Sequence, residues 1–138
     1  MTNLLVVDTS AWVEFLRRTG SAVDLAVRGA IEQDRVVLVE PVTAELLMGA
    51  RDRQEVELLR RMFAALPLGI VAPRDDFEAA ADLFRACRAT GRTPRGLVDC
   101  LVVATAARLG HSLLHHDRDI HVLAAIAGVA VEVGSLAP

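Results

Sequence analysis

Along this chain, short, mostly apolar runs alternate with longer stretches of helical periodicity. The runs are Leu4-Leu5-Val6-Val7, Val36-Val37-Leu38-Val39, Leu68-Gly69-Ile70-Val71, Ser112-Leu113-Leu114-His115 and Val129-Ala130-Val131-Glu132-Val133. The first two, apolar throughout and rich in β-branched residues, predict strands buried on both faces, and the other three read as further strands. Between them, apolar residues recur three and four positions apart: Val23, Val27, Ala30 and Ile31; Val42, Leu46 and Leu47; Val56, Leu59, Met62, Phe63 and Leu66; Phe77, Ala80, Ala81, Phe84 and Cys87. Each set predicts an amphipathic helix. Ala11 to Leu16, Leu97 to Leu109 and Ile120 to Ile126 read as three more helices.

The punctuation agrees. Ser21 with Asp24 resembles a capping box, and Pro41 suits the first turn of the helix that carries Glu45. Pro67 bounds another helix and Gly110 stops the Leu97 helix, while Thr90 to Gly96 reads as loop. Strand–helix alternation implies a parallel sheet flanked by helices on both sides. With no repeat, low-complexity tract or linker, residues 1–138 are expected to form one domain.

Composition sharpens this only in places. Of 138 residues, 53% are hydrophobic but 4% aromatic, so the core is expected to be aliphatic. No apolar run is long enough to span a bilayer and no charged segment precedes an apolar leader, which points to a cytoplasmic protein without membrane attachment. The net charge of −3 does not advertise a nucleic-acid partner. All 15 basic residues are arginine. That excludes chemistry needing a lysine amine, and sets aside receiver-domain and haloacid-dehalogenase-type readings of an acidic site above a parallel sheet. Cys87 and Cys100 lack metal-ligand spacing and read as buried thiols.

The candidate chemistry lies in the carboxylates. Asp8 and Asp117 directly follow predicted strands, where open α/β sheets bind ligands. Glu45 and Asp99 fall in the first turns of helices expected to open at the same end, and Asp119 is two residues beyond Asp117. Two such charges about 4 Å apart repel by roughly 4 kcal/mol at an effective dielectric near 20. Protonation or a divalent cation must relieve that repulsion. An all-oxygen donor set favours Mg²⁺ or Mn²⁺ over zinc. Taken singly, each acid is equally well explained as a helix-end or turn residue.

In order, Val-Val-Asp-Thr-Ser, Val-Thr-Ala-Glu-Leu-Leu-Met-Gly-Ala, Leu-Val-Asp-Cys-Leu-Val-Val-Ala-Thr-Ala and Leu-Leu-His-His-Asp-Arg-Asp-Ile resemble a PIN-domain ribonuclease of the VapC toxin type. The resemblance covers essentially the whole chain. It implies a three-layer α/β/α sandwich on a five-stranded parallel sheet of order 3-2-1-4-5, with strands one and four adjacent. It also implies that Asp8, Glu45, Asp99 and Asp117 are the catalytic acids. Asp8, Asp99 and Asp117 would ligate Mg²⁺ (or Mn²⁺), with Glu45 and Asp119 as further candidates. Ser10 matches the small polar residue that positions a ligand carboxylate or phosphate. The pair His115-His116 departs from the usual small or hydroxyl residues and reads as local variation.

The implied activity is hydrolysis of RNA (tRNA, rRNA or mRNA) with water rather than a ribose hydroxyl as nucleophile, leaving 5′-phosphate and 3′-hydroxyl ends. Arg51, Arg92 and Arg95 are candidates for holding RNA phosphates. Trp12, Phe15, Leu16, Leu46, Leu47 and Met48 supply apolar surface near the site. The resemblance assigns that surface to a cognate antitoxin, and it implies a homodimer. The competing readings are an inactive RNA- or protein-binding module and a structure-specific DNA nuclease of the same fold.

Overall fold

The computed structural model describes residues 3–136. Strands β1 (Leu5–Val7), β2 (Val36–Val39), β3 (Leu68–Gly69) and β4 (Ser112–Leu114) form one parallel sheet in the order β3-β2-β1-β4. Helices α1 (Thr9–Leu16) and α2 (Ala22–Glu32) link β1 to β2. Helices α3 (Glu40–Met48) and α4 (Arg53–Ala64) link β2 to β3. Helices α5 (Asp75–Ala89) and α6 (Leu97–Leu109) link β3 to β4, and α7 (Arg118–Ala127) follows β4. No helix among the described residues is long and apolar enough to cross a membrane.

The two central strands, β1 and β2, are apolar and buried throughout. Leu5, Val6 and Val7 are buried, paired with Val36 and Val37 on one side and with Ser112, Leu113 and Leu114 on the other. Continuous apolar sequence is what a strand covered on both faces requires. The ladder runs one residue past the strand, where the Asp8 N–H donates to the Leu114 carbonyl at 2.9 Å. That bond fixes Asp8 beside the end of β4. Nearer the sheet's edge, a side chain at Gly69 would place its Cβ 2.8 Å from Leu109 Cδ1 and 2.9 Å from Val37 Cγ1, so any larger residue there would force both neighbours to shift.

Four strands form, rather than the expected five. The segment from Val129 reaches the free edge of β4, where Leu113 N–H donates to Ala130 O at 2.9 Å and Glu132 N–H to Leu113 O at 2.8 Å. This single parallel bridge between Leu113 and Val131 lies where a fifth strand belongs. It extends no further because the chain turns: Ser135 N–H bonds back to Glu132 O, Gly134 adopts φ +102°, and Val133 is exposed. The positive φ is a glycine conformation, so a local turn outcompetes the strand propensity of the valines.

Helices α5 and α6 are tied by an ionic network centred on the buried Asp76. Asp76 accepts from Arg108 Nε at 2.8 Å (Oδ1) and 3.0 Å (Oδ2), from the Ala72 N–H at 2.8 Å and from Thr105 Oγ1 at 3.3 Å. Burial works to raise its pKa, but these donors outweigh it and hold the carboxyl below its ordinary value.

Candidate active site

Asp8 and Asp117 are both N-cap residues. Asp8 Oδ2 accepts from the Ser10 N–H at 3.1 Å and from Ser10 Oγ at 2.6 Å, at the start of α1. Asp117 Oδ1 accepts from the Asp119 and Ile120 N–H groups at 2.7 and 3.3 Å, at the start of α7. Capping uses only one oxygen of each carboxylate. The other oxygen of Asp8 is unpaired and that of Asp117 meets Arg95 in the cleft, so the helix-end and functional readings hold together. Ser10 joins the two strand ends, since its Oγ also accepts from the His116 N–H at 2.9 Å.

These acids share a cleft of about 380 Å³ lined by Asp8, Thr9, Ser10, Glu45, Asp99 and Asp117, with Arg95 to Val98 along its mouth. Ligand oxygens of Asp99, Asp117 and Asp119 lie within 4.8 Å of one another. Asp8 lines the same cleft, deeper and outside that tightest group, with Asp99 and Glu45 as its charged neighbours. Glu45 accepts from Thr9 Oγ1 at 2.7 Å. It lies in the second turn of α3 rather than the first, because Pro41 allows the helix to start directly at Glu40.

Burial raises the Asp8 pKa to about 6, opposed by the Ser10 hydrogen bonds and reinforced by Asp99 and Glu45. The Asp99 carboxyl is likewise raised, by burial first and then by Asp117 and Glu45 against the pull of Arg95. Asp8 Oδ1 is buried without a hydrogen-bond partner. An acceptor oxygen left unpaired inside a protein costs roughly 1–3 kcal/mol, more if charged. An orphaned carboxylate oxygen beside converging acids, all hard donors, fits a divalent cation such as Mg²⁺ or Mn²⁺.

The arginines divide sharply. Arg95 reaches Asp117, lies 3.4 Å from Asp99 Oδ2 and places Nε 3.4 Å from Asp119 Oδ2. Arg92 binds Asp119 Oδ1 through Nε and Nη2 at 3.1 and 2.6 Å. Arg51 does not line the cleft. Its Nε pairs with Glu55 at 3.0 Å, one helical turn away on an exposed surface. Of the apolar residues, Trp12 and Leu46 belong to the core, whereas Leu16 and Met48 are exposed.

Two contributors escape a reading of acids alone. Thr9 orients Glu45, and the Asp-Thr-Ser order is its only signal. His115 is fully buried and its Nδ1 accepts from the Asp117 N–H at 3.2 Å. Burial lowers its pKa to about 4, so the imidazole is neutral and supports the backbone of a cleft acid. Cys87 and Cys100 are buried free thiols, and burial pushes Cys100 up to about 11.

Comparison with known proteins gives one consistent answer. Residues 5–126 match the PIN domain family. Ribonuclease VapC11 of Mycobacterium tuberculosis is 39% identical over 128 residues, covering 91% of this chain and 96% of the relative, and the VapC ribonuclease Mb1587 of Mycobacterium bovis matches equally well. Among solved structures, VapBC2 from Rickettsia felis bound to a promoter DNA fragment aligns with TM-score 0.73 at 13% identity, over 94% of this chain and 97% of that one. FitAcB from Neisseria gonorrhoeae aligns with TM-score 0.69 at 21% identity, over 93% and 96%. The strand ends, the carboxylates gathered beyond them and these relatives converge: the chain belongs to the PIN-domain family, among its VapC ribonucleases.

Proposed function

We propose that this chain is a Mg²⁺-dependent endoribonuclease, with Mn²⁺ able to substitute, acting as the toxin of a VapBC-type pair. The observation that carries this reading is the meeting of Asp8, Glu45, Asp99 and Asp117 around one cleft, with Asp119 close to Asp99 and Asp117 and with Asp8 Oδ1 buried and unpaired. The curated relatives are named ribonucleases, and several structural neighbours are toxin–antitoxin complexes.

Asp8, Asp99 and Asp117 would hold the ion, with Asp119 and Glu45 as further oxygen donors. When bound, a divalent ion supplies Lewis acidity, lowering the pKa of a water and taking up charge from the scissile phosphate. Ser10 fixes Asp8 through two hydrogen bonds and so sets the angle at which its free oxygen meets the cleft. Thr9 does the same for Glu45. Arg95, and Arg92 beside it, offer forked donors to the RNA backbone at the mouth. With water as nucleophile, the products carry 5′-phosphate and 3′-hydroxyl ends.

The partners in this reading are RNA, a second copy of the chain and a cognate antitoxin that blocks the cleft, all in the cytoplasm. The exposed Leu16 and Met48 are candidates for the antitoxin contact. The test is incubation of the purified chain with total RNA in EDTA, Mg²⁺ or Mn²⁺, followed by mapping of the cut ends. Metal-dependent cuts bearing 5′-phosphates, suppressed by the product of the neighbouring open reading frame, support it. Cyclic 2′,3′-phosphate ends, or cleavage of DNA in preference to RNA, overturn it.

A further inference from the structure

One side chain in the cleft is a cation already. Arg95 contacts Asp99, Asp117 and Asp119, the three acids whose oxygens lie closest together. We propose that Arg95 is an internal counter-cation that competes with the divalent ion for Asp99 and Asp117, so that loading the site requires its side chain to swing out of the cleft. The inference rests on the metal-dependent reading above.

Three features carry it. The acids repel one another, and a forked, always-charged guanidinium neutralises more than one carboxylate at once. It engages oxygens of the carboxylates expected to bind the ion, so the two cations compete for the same acids. The loop that carries it is anchored, whereas its side chain is held only by these ion pairs. Within the 90–96 loop, Pro94 is buried and Cys87 Sγ donates to the Arg92 carbonyl at 3.1 Å, whereas the Arg95 side chain is 67% exposed. A largely hydrated side chain can leave without breaking the core. Arg92 differs, because its carboxylate contact is to Asp119 alone.

The test is titration of the full-length chain with Mn²⁺ by calorimetry, with melting temperature measured in EDTA and in saturating Mn²⁺. Arg95→Gln is expected to bind Mn²⁺ about tenfold more tightly than the parent, a modest gain because exposed charges are screened. It should also melt lower in EDTA and gain more from Mn²⁺, since the acids then repel without a counter-ion. Arg95→Lys keeps the charge and should stay within about twofold of the parent, as should Arg92→Gln. Equal or weaker binding by Arg95→Gln, or equal tightening in Arg95→Lys, overturns the inference while leaving the metal site intact. Absence of Mn²⁺ binding in the parent and every variant overturns the metal reading and this inference with it.

Discussion

Asp8 and Asp76 are the same residue at nearly the same burial, 3% and 1% exposed, yet their surroundings push them in opposite directions. Asp76 is fully partnered: Arg108 meets both oxygens, and Ala72 and Thr105 supply further donors. Its carboxyl is depressed and its work is to join α5 to α6. Asp8 has donors on one oxygen and nothing on the other, and burial raises it to about 6. A satisfied buried acid contributes to the fold; a half-satisfied one is a candidate to meet a ligand.

The largest expected effect separates the two by function. Asp8→Asn should reduce RNA cleavage by at least about 100-fold, the scale on which essential charge-stabilising groups act. The fold should survive, because an amide can still accept from Ser10. Asp76→Asn should do the reverse, lowering the melting temperature on the order of 5 °C while leaving cleavage per folded molecule within about twofold. The comparison breaks if Asp8→Asn unfolds the chain, or if Asp76→Asn abolishes turnover without loss of stability. Metal provides a companion readout. Saturating Mn²⁺ should raise the melting temperature of the parent and of Asp76→Asn, and raise that of Asp8→Asn far less.

A smaller effect lies in pH. An acid whose folded pKa exceeds its unfolded value binds protons more readily when folded, so its contribution to stability fades as pH rises. For Asp8 that window runs from 3.8 to about 6 and is worth roughly 3 kcal/mol. Asp76 has the opposite sign: its contribution is present above the unfolded value and lost as acid is added through the depressed folded one. In EDTA, the melting temperature of Asp8→Asn relative to the parent should therefore climb between pH 4 and pH 6 and level off above. A flat difference across that range would remove the burial argument for Asp8.

This contrast also marks what the sequence could reveal. The apolar runs ending in Asp8 and before Asp117 place both acids at strand ends, and β2 and α6 fall at the expected residues, because periodicity and Gly110 are local signals. Asp76 offers no such signal, since its importance comes from Arg108, 32 residues away. The fifth strand shrinks to a bridge because Gly134 turns the chain, a local turn that the strand propensity of Val129 to Val133 conceals. Arg51 resembles Arg95 in sequence, both being arginines beside a cleft-bearing segment. A helical-turn Glu55 captures the one and the acid cluster captures the other.

The smallest expected effects come from two threonines in matched roles. Thr105 Oγ1 donates to Asp76 at 3.3 Å in the core, and Thr9 Oγ1 to Glu45 at 2.7 Å in the cleft. Replacing either with valine keeps the branched shape and removes the donor. Thr105→Val should cost about 0.5–1 kcal/mol of stability, the value of a long, neutral-donor bond to an acid that keeps three other donor contacts. Cleavage should not change. Thr9→Val leaves Glu45 free to turn, so cleavage should fall about three- to tenfold, with melting temperature within about 2 °C of the parent. Steady-state kinetics on one defined RNA, read against melting curves of the same preparations, separates the two. If Thr9→Val lost stability and kept its rate, Glu45 would belong with Asp76 as a structural acid rather than with Asp8.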